Sequence, residues 1–138
     1  MLLRSDQASP HFKLSEFNCK DGTIVPIQYL QNMYLLVQVL EYLRGYFKAP
    51  ITINSAYRTE SHNKAVGGAV SSFHLRCEAV DFRVKDVKPL EVFKVLQKLM
   101  SVNDIPKGAI ILYNNFVHYD IRGHMIVIDN RTCKSCQQ

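Results

Sequence analysis

The chain has 138 residues, 47% hydrophobic and 21% charged, with a formal net charge of +5. That length and balance fit one globular domain able to bury a real core, and they exclude a disordered chain. No apolar run approaches the ~20 residues of a membrane span. The excess of basic residues suits an acidic partner. Lysines and arginines are not interleaved with aromatics, so no nucleic-acid surface is expected and most of the charge reads as solvated faces.

The elements follow in chain order. Residues 1–8 lack a basic region followed by a long apolar core, so no signal peptide is expected. Residues 26–47 read as one long helix: Leu30, Met33, Val37, Leu40, Leu43 and Phe47 fall near one face, and Pro26 suits the first turn. Pro50 closes it, and Ile51-Thr52-Ile53 begins a short strand. A helix over 59–66 is capped by Thr59 and ended by Gly67-Gly68. Residues 78–84 alternate apolar and polar and read as a strand. A second long helix covers 89–100, with Leu90, Phe93, Leu96 and Met100 inward. Strands are predicted at 109–113, 116–121 and 124–128, with tight turns at Asn114-Asn115 and Arg122-Gly123. Helices first and then a meander of strands point to an α+β fold with an antiparallel sheet. One domain over 1–138 is expected, its core at about 12–128 and its tail at 129–138. The four cysteines have no disulfide-framework spacing, and the lone Cys133-x-x-Cys136 lacks the second pair of a structural zinc site, so it reads as a frayed tail.

Two segments carry chemistry. The first is Ser72-Phe73-His74-Leu75-Arg76-Cys77-Glu78-Ala79-Val80-Asp81, and the second is Phe116-Val117-His118-Tyr119-Asp120. Together they offer two imidazoles and one or two carboxylates, the donor types of a catalytic zinc site with three protein ligands. His74 would lie in the loop before the 78–84 strand and Asp81 on it. His118 and Asp120 share one face of another strand. The alternatives are ordinary: a His in an apolar strand can be a hydrogen-bonded core residue, and a buried Asp can pair with Arg58, Arg76, Arg83 or Arg122.

The segment Ser55-Ala56-Tyr57-Arg58-Thr59-Glu60-Ser61-His62-Asn63-Lys64-Ala65-Val66-Gly67-Gly68-Ala69, then Ser72-Phe73-His74 and Ala79-Val80-Asp81-Phe82, resembles the zinc D-Ala-D-Ala carboxypeptidase family of bacterial wall carboxypeptidases and phage endolysins. Phe116-Val117-His118-Tyr119-Asp120-Ile121-Arg122-Gly123 matches its second motif, and Leu14-Ser15-Glu16-Phe17-Asn18-Cys19-Lys20-Asp21-Gly22 resembles the start of its short members. The resemblance spans about residues 12–124. It implies a hedgehog-like zinc peptidase fold and one Zn2+ per chain held by His74, Asp81 and His118. It gives Arg58 to a substrate carboxylate or carbonyl, which a bidentate guanidinium suits; an internal pair of Arg58 with Asp81 or Glu60 is the alternative. Ser72 and Tyr113 are expected beside the substrate. The implied reaction is hydrolysis of peptidoglycan stem peptides, either carboxypeptidase or endopeptidase, by a chain acting as a monomer. The protein would be made in a bacterium or phage-infected cell and would act on the wall.

Some positions depart from the family pattern. Cys77 and Ala56 stand where glycines are usual, and a glycine of positive φ would leave the substituted residue strained. Cys77 reads as a small buried hydrophobe in preference to a thiolate ligand. Asn115 stands where many relatives carry an acid as general base, which leaves Asp120 as the candidate proton acceptor or, equally, as the partner that orients a metal-bound His. A wall-binding or virion-associated module that has lost turnover is the rival reading; the hedgehog domain shows by fold analogy alone that this architecture can serve recognition.

Overall fold

The computed structural model describes residues 6–132. Cys133 and Cys136, and the signal-peptide reading of the first five residues, lie outside them. The regular elements are α1 (Leu30–Phe47), β1 (Ile51–Ser55), α2 (Glu60–Ala65), β2 (Ala79–Val84), α3 (Pro89–Ser101), β3 (Ala109–Leu112), β4 (Val117–Asp120) and β5 (Ile126–Asp129). The fold is α+β, with three helices and a mixed, mostly antiparallel, five-stranded sheet among the described residues, in the order β1-β2-β4-β3-β5.

Each helix has a local reason. Pro26 precedes a separate 3-10 turn at Ile27–Tyr29, so α1 proper begins at Leu30 and not at the proline. Its inward face is broader than one stripe: Leu36 and Val39 join Met33, Val37, Leu40 and Leu43, while Leu30 and Phe47 are only partly covered at the two ends. Fully burying each such leucine contributes about 1.5–3 kcal/mol. Lys48 closes α1 in the left-handed region at φ 52°. In α2, the Thr59 hydroxyl accepts from the His62 amide as the N-cap. Pro89 opens α3, whose Val92, Phe93, Leu96, Leu99 and Met100 are buried.

Strand alternation divides the sheet into two chemically different faces. Val80 lies opposite Tyr119 and Phe82 opposite Val117, and all four belong to the buried cluster shared with α1 and α3. The residues between them form the other face: Asp81 lies directly opposite His118, and Ala79 opposite Asp120. On β3, Ile110 and Leu112 join the core, while Ile111 pairs with His118 on the opposite face. A register shift between Ile53 and Ser55 sets Ser55 beside Asp81.

One prediction fails in the sheet. The segment after Gly123 does not hairpin back onto β4; β5 runs parallel to β3, pairing Ala109 with Ile126 and Leu112 with Asp129. The reason is occupancy. Both edges of β4 are already hydrogen-bonded, to β2 and to β3, so the next strand must use the free edge of β3. The strand stretches 109–113 and 116–121 are also shorter than their apolar runs suggest, because Tyr113 and Phe116 leave the ladder to close the turn between β3 and β4.

Candidate metal centre

His74 sits in a short 3-10 helix, Phe73–Arg76, that enters β2. The Ser72 hydroxyl caps it by accepting the His74 amide at 3.2 Å. Cys77 ends it in the left-handed region at φ 55°, ψ 40°, where a glycine would be unstrained. This tight turn brings His74 over Asp81, while sheet register alone places His118 beside Asp81. The three side chains are buried, and one donor atom from each lies within 4.8 Å of the others.

The outer hydrogen bonds settle which ring atoms face inward. His74 Nδ1 donates to the Ala56 carbonyl at 2.7 Å, because a carbonyl can only accept. Its Nε2 then points at Asp81 Oδ1, 3.2 Å away. His118 Nε2 faces Asp120 Oδ2 at 2.8 Å, and its Nδ1 points at the same Asp81 oxygen at 2.9 Å. Two imine lone pairs and a carboxylate oxygen therefore converge. Such a set calls for a positive charge between its atoms, a ring proton or a metal ion, and two imidazoles with a carboxylate are the donors that a zinc-type ion takes. With no ion between them, the rings can carry the charge as protons turned toward Asp81. Burial alone raises the Asp81 carboxyl, but hydrogen bonds from His118 and His74 outweigh it and hold the group well below the usual carboxylate range. Burial likewise lowers His118, yet its bonds to Asp120 and Asp81 push its pKa above the ordinary value.

Asp120 is fully buried, and both its oxygens are taken. Oδ1 accepts from the Ala109 amide and from Arg122 Nε; Oδ2 accepts from His118 Nε2 and Arg122 Nη2. Burial raises this carboxyl, but the bonds from His118 and Arg122 more than reverse the effect. It stands behind the His118 ring, on the nitrogen turned away from Asp81. Of the two roles expected of Asp120, proton acceptor or partner of His118, the contact present is the one with the His118 ring.

Arg58 lies in the wall of a cleft of about 370 Å³ that also contains His74, Asp81, His118, Ser72, Tyr113 and Arg122. Its Nε donates to Ser55 Oγ, its Nη1 to Asn63 Oδ1 and its Nη2 to Asp81 Oδ2 at 3.3 Å. The internal pairing with Asp81 is thus present, and the guanidinium still faces the cleft. Tyr113 stacks on Phe116 with ring centroids 4.6 Å apart. Asn115 is exposed.

Several participants were not legible as such. Asn63 is buried in α2 and holds both Arg58 and the Ala69 carbonyl. Gly68 is required by contact: a Cβ there would stand 2.0 Å from Asn63 Oδ1. Gly108 is likewise pressed against the Asp120 carbonyl oxygen, which a Cβ would meet at 1.6 Å. From the sequence, Arg122 is a turn and motif residue and one of four arginines available to a buried Asp, with no role of its own at the site. The spacing Asp120-x-Arg122 at a strand end was the signal for it. Ala56, in contrast, has no positive φ, so it carries none of the strain expected there. Cys77 is fully buried with its thiol pushed up to about 12, and it is no part of the donor set.

A comparison with curated proteins finds no match. The family model Peptidase M15 matches residues 10–120. That stretch includes both histidine-bearing segments and ends on the carboxylate behind His118, and on it the chain belongs to the peptidase M15 family, the zinc D-Ala-D-Ala carboxypeptidases.

Proposed function

We propose that the chain is a zinc metallopeptidase that hydrolyses peptide bonds in bacterial peptidoglycan stem peptides, as a carboxypeptidase or an endolysin-type endopeptidase. The observation that carries this reading is the convergence of His74 Nε2, Asp81 Oδ1 and His118 Nδ1 in a cleft walled by Arg58, in a chain of this family. Those three atoms would hold one zinc ion. When bound, zinc supplies Lewis acidity toward a peptide carbonyl and lowers the pKa of water. Asp120 fixes the His118 tautomer by accepting from Nε2, and the Ala56 carbonyl does the same for His74. Arg58 is preset by Ser55 and Asn63 to offer its fork to a carboxylate or carbonyl of the peptide. Ser72 has spent its oxygen as a cap and retains its hydroxyl hydrogen for the substrate side. Tyr113 supplies an aromatic wall and a phenol.

A second reading has its own support. Among the described residues, Asp81 is the only carboxylate lining the cleft, and Asn115 replaces the acid of many relatives. A wall-binding or virion-associated module that keeps the metal but lacks turnover would need no further base. The test is mass spectrometry of purified peptidoglycan digested by the zinc-loaded protein, with His74→Ala as control. New stem-peptide fragments that vanish in the variant are expected, and their masses identify the bond. Intact peptidoglycan from protein holding one equivalent of zinc would favour the binding module.

A further inference from the structure

Arg122 lies just past the end of β4, two residues beyond Asp120. Its Nε and Nη2 form a fork on Asp120, at 2.9 Å to Oδ1 and 2.8 Å to Oδ2. The same guanidinium covers the ring of Phe73, with its carbon 4.3 Å from the centroid. Phe73 is the residue before His74. One side chain therefore touches both histidine-bearing segments: the His118 side through Asp120, and the His74 turn through Phe73.

Both contacts use the planarity of the group. A fork matches a carboxylate with two parallel bonds, and a flat delocalised cation lies on an aromatic face. Lysine keeps the charge and loses both shapes. Among the described residues, Oδ2 of Asp120, the oxygen that meets His118, has one other donor, Arg122 Nη2. Without it the carboxylate keeps only the amides of Ala109 and Arg122 on Oδ1, and the oxygen that meets His118 loses the donor that holds it in place.

We propose that Arg122 is a positioning residue of the metal centre, which fixes Asp120 and ties the His74 turn to the His118 strand. This rests on the reading of His74, Asp81 and His118 as metal ligands. The distinguishing measurement is zinc affinity by competition with a chromophoric chelator, together with far-UV circular dichroism of each protein. Partners that orient a ligand change affinity by about 10–100-fold, so R122Q is expected to weaken zinc binding at least about 10-fold while remaining folded. R122K should recover only part of that loss. F73L, which leaves the fork on Asp120 intact, should lose less than R122Q. In a D120N background, R122Q should add no more than about twofold, because the two residues act as one unit.

Wild-type affinity in R122Q would overturn the proposal. So would a full, independent loss added to that of D120N, the mark of a general structural role. If R122Q does not fold, R122K and F73L decide: wild-type affinity in both overturns it. A wild-type protein that binds no zinc would overturn the metal reading and this inference with it, whereas zinc binding unchanged by Arg122 overturns this inference alone.

Discussion

At the scale of single residues, Cys77 shows how a local conformation can be foreseen while its consequence cannot. The glycine usual at that position implies positive φ, and Cys77 does adopt it, at 55°. Left-handed backbone costs a residue with a Cβ roughly 1–2 kcal/mol. The same side chain is wholly buried in the core, which offsets the strain. The two effects separate by comparison with Cys19, which is also buried but has ordinary φ. At an unstrained core site, glycine should be less stable than alanine, through the lost methyl (~0.8 kcal/mol) and the freer unfolded chain. The gap between Cys19→Gly and Cys19→Ala should therefore exceed that between Cys77→Gly and Cys77→Ala by about 1–2 kcal/mol. Urea midpoints of the four variants measure it, and equal gaps would show that the turn is unstrained. The donor residues were legible because their chemistry is rare: His and Asp in an apolar strand, or in the turn that enters one, invite an explanation. Asn63 and Arg122 were not, because a polar residue on a short helix or at a strand end ordinarily faces water.

At the scale of elements, the helices were legible from their period and punctuation, and the strands from their apolar runs. The parallel pairing of β5 was not. Local sequence gives a strand and a turn, but which edge is free depends on β2, which lies some forty residues earlier in the chain and already occupies β4. The weakest element bearing on the site is α2, only six residues long. Helices that short are not stable alone and depend on caps and tertiary ties. Thr59 supplies both, accepting from the His62 amide and donating to Asp21 Oδ2 at 2.8 Å. Thr59→Ala should cost about 1 kcal/mol for the cap, and Thr59→Ser should restore most of it. Hydrogen exchange would locate the effect: amides of α2 should lose protection before those of β2, as local opening at a weakened cap requires. A uniform loss across both would mean that α2 opens only with the whole fold. Because Asn63 rides on α2 and holds Arg58, the same variant should loosen the cleft wall without touching the metal ligands.

For the whole molecule, the sheet separates stability from chemistry: one face packs on α1 and α3, and the other carries His118 and Asp81. Much of the centre is held without the metal, since Ala56, Asp120, Arg58 and Arg122 already constrain the donors by hydrogen bonds. Two consequences follow for metal removal. First, chelated protein should keep its far-UV circular dichroism, because the core does not pass through the centre. Second, a preorganised site that binds only the native state must stabilise it by RT ln(1 + [L]/Kd), about 4 kcal/mol at a thousandfold excess over Kd. For a chain of this size that corresponds to a rise on the order of 10 °C in Tm. Thermal melts with zinc and with chelator measure this rise, and His118→Ala should abolish it, with a chelated midpoint below that of the unaltered protein because Asp81 and Asp120 lose a buried partner. Collapse of the dichroism on chelation would instead mean that the metal organises the fold. An unchanged midpoint with zinc would mean that the three converging acceptors are satisfied by a proton alone, since a raised His118 pKa allows the ring to carry that charge itself.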